Sequence, residues 1–331
     1  MKVTLYGTRG STAVAGLQFA KFGGNTTCLR IESVCLPPET ALVVDAGTGI
    51  VPLSQVLLKT GIKTVILPFT HYHHDHTQGL LLAPITFIKE IKIHAFGPVE
   101  DSHGIKDVLK TLMKPPLFPV DFAEVASHFV CEAIESVNAT MLIIHPKGGS
   151  RLMWLDQFER LVNDGQQIYF DGDRAYDVNE CLVIKMLRSN HPERTVCYRF
   201  EERPTGKVFC FLTDHENTDA LPSALKRHLA GADLLIQDSQ YSRAVYDART
   251  AGFGHGTPDY CVEVAIAVSA RRLGLTHHDL AASDEDVEKI LADAQNTLQT
   301  LEVAKGKGGK NTFSITEDDI FACADYQVIE V

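Results

Sequence analysis

No stretch of this chain is apolar over the roughly 18 residues that a membrane-crossing helix needs, which argues against a helical membrane protein. Basic charge is also short: 31 Lys and Arg stand against 42 Asp and Glu, for a net charge of −11. A protein whose main task is to hold nucleic acid shows a basic surface, so that role is not favoured, although a local basic patch is compatible with the sequence. Paired cysteines are missing too. Eight cysteines occur, none in a Cys-x-x-Cys pair, and their scatter offers no zinc–sulfur site. Most sit in apolar runs such as Val208-Phe209-Cys210-Phe211-Leu212 and read as buried free thiols of a reducing compartment. Met1–Tyr6 reaches a turn at Gly7 before an apolar core of signal-peptide length can form, so a cytosolic location is expected. The chain also lacks internal repeats and low-complexity linkers.

What is present is globular: 331 residues, 45% apolar and 22% charged. That is long for one domain but within reach of a single αβ enzyme with insertions. The first third reads as short strands joined by glycine turns, at 2–6, 27–33, 41–46 and 63–69. A helix at about 51–59 is stopped by Gly61. A strand at 91–96 and a helix at 104–113, ended before Pro115-Pro116, follow. Residues 136–176, with the only tryptophan, Trp154, give mixed signals and read as an insertion. Strands return at 180–187, 196–200, 207–213, 233–237 and 272–276. Thr257-Pro258 predicts a helix start, with Thr257 as cap and Pro258 at the first position, running to about 270. Ser283 and the acids after it open another helix. Its apolar positions, from Val287 to Leu301, keep helical spacing. Lys305–Lys310 is then a solvated break. Strands in both halves, each half followed by helices, predict two sheets packed face to face with helices outside.

The densest chemistry is His71-Tyr72-His73-His74-Asp75-His76, directly after strand 63–69. His71, His73, Asp75 and His76 are four potential ligands within six residues, on a loop that a rigid sheet can position. Imidazole and carboxylate suit zinc and similar divalent ions. On such a loop, positions i and i+2 can aim at one ion while i+4 and i+5 aim at its neighbour. His74 and Tyr72 point elsewhere on this reading and form a wall. Six residues cannot fill two shells, so further ligands must come from other strand ends. His191, Asp214 and His277 each follow a predicted strand, with His278 as an alternative to His277.

These residues resemble the metallo-β-lactamase superfamily, whose H-x-H-x-D-H signature matches residues 71–76 at every fixed position. Val43-Val44-Asp45-Ala46-Gly47-Thr48-Gly49 is similar to that family's Asp-Gly-rich supporting turn. The branch with the tRNA 3′-processing endonucleases and small phosphodiesterases is the nearer resemblance. Gly7-Thr8-Arg9-Gly10-Ser11, Phe22–Thr27, Gly254-His255-Gly256-Thr257 and Thr276-His277-His278-Asp279 carry it, and it spans nearly the whole chain except about 136–176. It implies an α/β fold, a four-layer αββα sandwich of two mixed sheets, here a single domain over 1–331. It implies two divalent metal ions, zinc above all, with manganese and iron also accepted. His71, His73 and His191 would hold the first ion, Asp75, His76 and His277 the second, and Asp214 would bridge them. Asp45 would support the ligands without being one. A homodimer is what the relatives imply.

The chemistry that follows is hydrolysis by a metal-bridging hydroxide oriented by Asp75. His255 stands just before the helix at Thr257-Pro258, where free N–H groups favour a phosphate. It is the expected donor to the phosphate or to the leaving oxygen. Arg9, in a glycine-rich turn, reads as a surface side chain. A phosphodiesterase acting on a small phosphodiester or cyclic nucleotide is the leading expectation. A tRNA 3′ endonuclease shares the motifs, but Lys147, Arg151 and Arg160 in the insertion are offset by Asp156, Glu159 and Asp164. Hydrolysis of a non-phosphate ester, lactone or lactam would leave His255 without a phosphate to serve. A non-catalytic scaffold is at odds with the complete ligand set.

Overall fold

A computed structural model describes residues 1–165, 167–170, 174–306 and 314–331. Strands β1 (Lys2–Gly7), β2 (Cys28–Glu32), β3 (Thr40–Val44), β4 (Thr64–Pro68), β5 (Lys92–Pro98) and β6 (Phe129–Ile134) fill the first half. The hairpin β7 (Thr140–His145) and β8 (Gly149–Trp154) follows, then the short pair β9 (Ile168–Tyr169) and β10 (Ala175–Tyr176). The second half holds β11 (Leu182–Arg188), β12 (Val196–Glu202), β13 (Lys207–Leu212), β14 (Leu234–Asp238), β15 (Leu273–Thr276), β16 (Ile320–Ala322) and β17 (Val328–Glu330).

Two large mixed sheets result. One has the order β17-β1-β2-β3-β4-β5-β6, the other β16-β15-β14-β13-β12-β11-β7-β8. In the first, β3 through β6 are parallel; in the second, β13 through β16 are. Strand alternation sorts the side chains into layers. Along β3, Leu42 and Val44 face the second sheet, while Ala41 and Val43 face the outer helices. The inter-sheet core joins Leu5, Ile31, Ile66 and Phe96 to Ile184, Tyr198, Phe209 and Ile236. The helices Ile50–Lys59 and Ile105–Leu112 cover the outside of the first sheet through Leu53, Leu57 and Leu109. The helices Ser223–Leu229, Pro258–Ala267 and Asp284–Gly306 cover the outside of the second. Four layers, αββα, follow from this burial pattern.

Most predicted elements are found within one to three residues of their expected ends. The assigned insertion is the main difference. Its residues 140–154 are the β7–β8 hairpin, paired with β11 at the border of the second sheet. Met141, Leu142, Ile143 and Ile144 are a continuous apolar run, because this strand is covered on both faces. Thr257 stands at the N-cap with Pro258 first in the helix, as expected, but its hydroxyl makes no capping bond. Its hydroxyl accepts from the Asn217 side-chain amide at 3.0 Å, and Asn217 accepts from the Thr257 N–H at 3.2 Å. The long helix continues through Gly306, so no break begins at Lys305, and 307–310 lie outside the described residues. Among the described residues, no helix is long and apolar enough to cross a membrane.

Candidate metal centre

The C-terminal ends of β3, β4, β11, β13, β14 and β15 gather at one edge of the sandwich. There the chain delivers Asp45, the 71–76 loop, His191, Asp214, Asp238 and His277. Three of these turn sharply as their strand stops: Asp45, Asp214 and His277 have φ of 59°, 47° and 63°. Left-handed backbone is costly for residues with a side chain, and such strain gathers where function fixes a side chain's aim. The turn after β3 supports the histidine loop directly. Ala46 N–H donates to the His76 carbonyl at 2.8 Å. Gly47 allows the approach, since a Cβ there would meet the Asp75 carbonyl oxygen at 2.2 Å.

All seven expected ligands converge. One cluster comprises His71, His73, His191 and Asp214; a second comprises Asp75, His76 and His277; within each, the donor atoms lie within 4.8 Å of one another. Asp214 lies between the two. Its Oδ2 is 3.6 Å from His71 Nε2 and 3.5 Å from His277 Nε2, and its Oδ1 is 3.2 Å from His76 Nε2. His278 turns away: its Nε2 donates to the Cys323 carbonyl at 2.8 Å. The structure therefore puts His277, not His278, against the carboxylates.

The surrounding hydrogen bonds fix which ring nitrogens face inward. His76 Nδ1 donates to Asp45 Oδ2 at 2.8 Å, and His191 Nδ1 donates to the Gly254 carbonyl at 3.0 Å. Thr70 gives its hydroxyl proton to Asp45, so its oxygen is free to accept from His71 Nδ1 at 3.2 Å. In the neutral rings that a metal ion requires, each arrangement leaves Nε2 as a lone pair aimed at the cluster. Nε2 of His71, His76 and His191 are buried and make no hydrogen bond, although carboxylate oxygens lie 3.2–3.6 Å away. Two donors on one tetrahedral zinc, each ~2.0–2.1 Å from it, sit about 3.3 Å apart. These residues thus fit a metal ion as ligand atoms sharing a cation, better than they fit as hydrogen-bonded pairs.

The electrostatics agree. Burial opposes the charge on Asp214, yet His277, His76 and His71 hold its carboxyl well below the usual range. Burial likewise opposes Asp75, but His76 and His277 keep it low. Burial lowers His71 and His191. His277 is pushed up to about 9: burial works against its proton, and Asp214 and Asp75 outweigh it. The cluster is a nest of ionised carboxylates that calls for positive charge.

A cavity of about 430 Å³ opens over this site, lined by Ser11, Tyr72, His73, His74, Asp75, Asp214, His255 and His277. His74 is exposed and forms part of the wall, as does Tyr72. His255 stacks on His277 with ring centroids 5.0 Å apart. Its Nδ1 lies 2.8 Å from Asp238 Oδ2. Asp238 is fully buried and was missed from sequence. The available signal was its position after the apolar run Leu234-Leu235-Ile236, the same context as Asp45 and Asp214. Glu193 was also missed; it stands beside His73 and His191. Arg9 corrects an expectation, for it is fully buried. Its guanidinium donates to the carbonyls of Gly23, Asp279 and Ala282 at 2.7–2.9 Å, tying the N-terminal turn to the loop after His278. Three carbonyl partners offset the cost of burying that charge.

No protein-family model matches the chain. Among characterised proteins, ribonuclease Z of Myxococcus xanthus is 28% identical over 284 residues, 80% of this chain and 85% of that protein. Ribonuclease BN of Cronobacter sakazakii is 23% identical over 294 residues, 85% of this chain and 93% of that protein. A shorter match, 31% over 101 residues, spans only 31% of ribonuclease Z from Streptococcus pneumoniae. Among solved structures, the metallo-β-lactamase fold protein YhfI of Bacillus subtilis superposes with a TM-score of 0.62 at 17% identity, covering 100% of this chain and 99% of that one. Human tRNase Z, short form, gives 0.58 at 20% identity, over 100% and 99%. A diphosphatase of the PhnP family gives 0.56 at 15% identity, over 100% and 97%. With the αββα layers and the His-Asp cluster at the strand ends, these likenesses show that the chain has the metallo-β-lactamase fold.

Proposed function

We propose that the chain is a dinuclear metal-dependent phosphodiesterase acting on a small phosphodiester such as a cyclic nucleotide. The observation that carries this reading is the Asp238–His255 pair standing against the ligand cluster at one cavity, with His255 stacked on His277 and its ring nitrogen within 4.8 Å of donor atoms of Asp214 and His277. His71, His73 and His191 would hold the first ion, Asp75, His76 and His277 the second, with Asp214 shared. Zinc fits this donor set best, and manganese or iron would also be accepted. Two such ions, when bound, supply charge stabilisation for phosphate oxygens and a nucleophile from water at neutral pH.

The chain's own residues do the rest. Asp238 takes the Nδ1 proton of His255, which directs Nε2 toward the cavity. In its imidazolium form, which Asp238 stabilises, His255 can donate from Nε2 a hydrogen bond to a phosphate oxygen and a proton to the leaving oxygen. Asp75 Oδ2 accepts the Ser11 N–H at 2.7 Å, which fixes its carboxylate for orienting the attacking water. His74 and Tyr72 shape the entrance.

The size and charge of the cavity favour a small ester. Its volume lies in the range of small-molecule sites, and no Lys or Arg is among its lining residues. A tRNA 3′ endonuclease is the second reading, and the ribonuclease Z and BN relatives support it. With either reading goes the proposal of a cytosolic, one-domain subunit that forms a homodimer.

One panel separates them: a chromogenic phosphodiester, cyclic nucleotides, precursor tRNA and a lactone, assayed with zinc or manganese. Turnover of the chromogenic ester and a cyclic nucleotide, with metal content near two ions per chain, is expected. Cleavage of precursor tRNA with little activity on cyclic nucleotides would move the assignment to the second reading. Activity on the lactone alone would sink both.

A further inference from the structure

The segment His191-Pro192-Glu193 brings a carboxylate that the seven ligands do not account for. Glu193 Oε2 lies 3.2 Å from His73 Nε2 and 3.3 Å from His191 Nε2. The tautomer of His191 makes this contact unusual. Its Nδ1–H is committed to the Gly254 carbonyl, so Nε2 turns a lone pair toward a carboxylate oxygen. Two acceptors do not face each other at 3.3 Å unless a cation lies between them. No hydrogen bond forms there, and His191 Nε2 stays unpartnered in a buried position. The two distances are also close to the ~3.3 Å that separates donors bonded to one metal ion, and Glu193 would be a fifth donor beside His71, His73, His191 and Asp214. Both distances resemble the separation of 3.6 Å between His71 and Asp214 in the same cluster.

We propose that Glu193 is a displaceable ligand of the first metal position, occupying the place that an anionic substrate must take. The inference rests on the two-ion reading above. The side chain of Glu193 is 46% exposed, so it can swing into solvent without breaking a packed layer. Its near neighbours at the site are the two histidines, and no Lys or Arg is within ion-pairing distance of it among the described residues. A carboxylate is a chemical stand-in for phosphate, in charge and in oxygen donors. Glu193 would therefore close the first position in the resting protein and yield it to the phosphate group of a substrate or product.

The test compares the wild type with Glu193→Gln and Glu193→Ala. Zinc dissociation constants are measured by competition with a chromophoric chelator, and inorganic phosphate affinity by calorimetry on the zinc-loaded proteins. Circular dichroism confirms folding. One of the two ions should bind at least about tenfold more weakly in both variants, in line with the cost of disturbing a metal shell, and the other should be unchanged. Phosphate should bind more tightly to Glu193→Ala, because its competitor is gone. Two ions in the wild type with unchanged constants in the variants would overturn the role of Glu193 alone. Unchanged phosphate affinity would overturn displacement. A wild type that fails to bind two ions would overturn this inference and the two-ion reading together.

Discussion

Asp238 holds His255 from behind: its Oδ2 lies 2.8 Å from Nδ1 of His255, and its Oδ1 accepts the Gln240 N–H at 3.0 Å. The carboxylate cannot rotate without losing a partner, so the imidazole tautomer is fixed with Nε2 toward the cavity. His255→Ala should lower kcat on a phosphodiester by roughly 10²–10⁴, the usual contribution of a positioned proton donor, and leave metal content near two ions. Asp238→Asn should lower kcat too, because a neutral amide no longer stabilises the imidazolium that donates the proton. Steady-state kinetics beside metal analysis checks this. Loss of metal from His255→Ala would show instead that this histidine is a ligand.

Asp45 plays the matching part for a ligand. It is fully buried and accepts from Thr70 N–H at 2.7 Å, the Thr70 hydroxyl at 2.8 Å and His76 Nδ1 at 2.8 Å. Asp45→Asn should weaken the second ion by about 10–100-fold, the common cost of losing an outer partner of a metal-bound histidine. The first ion should be affected less, since Asp45 reaches its ligand His71 only through the Thr70 hydroxyl. Chelator competition reads both constants, and equal weakening of both ions would refute the division into two shells.

The candidate cluster was legible because it is local chemistry repeated in one context. Four donors sit in six residues, and His191, Asp214 and His277 each end an apolar strand. The sheet order could not be read, because pairing depends on long-range packing that periodicity does not encode. The run 140–145 illustrates this. It is apolar at nearly every position, and a buried strand then looks like any other buried segment. Asp238 and Glu193 were missed for different reasons. Asp238 resembled any acid after a strand until its partner His255 was in view. Glu193 is an ordinary half-exposed glutamate whose meaning comes wholly from the two rings beside it. Arg9 misled because an arginine in a glycine-rich turn is usually solvated, and its three carbonyl partners come from distant loops.

Metal binding should release protons. His277 is raised to about 9 by Asp214 and Asp75, so at neutral pH the metal-free protein carries a proton there that an ion must displace. Affinity for the second ion should therefore climb as pH rises from 6 toward 9, by up to about tenfold per unit for each displaced proton. Calorimetry in buffers of different ionisation enthalpy measures that release directly. A pH-independent constant over this range would mean that His277 does not give up a proton to the ion.

Acid should destabilise the fold before the carboxylates are reached. His215 and His278 are buried neutral, and burial pushes both down to about 4 from an ordinary value of 6.5. His215 is held between Ser189, at 2.9 Å, and the Tyr260 hydroxyl, at 3.1 Å. In the unfolded chain both rings take up protons as pH falls through 6.5, while in the folded protein they resist until about 4. Their contribution is complete above 6.5 and is lost progressively between 6.5 and 4. Asp325 acts in the opposite sense. Burial raises its carboxyl to about 6, so its protonation relieves the fold over part of the same window, while His228, also pushed down to about 4 by burial, adds to the loss. The net expectation is a fall in Tm from pH 6.5 to 4, measured with metal-free protein so that ligand release does not contribute. His215→Gln, which keeps a polar side chain at the site but cannot titrate, should flatten part of that slope. An unaltered slope would show that the ring is already protonated in the fold.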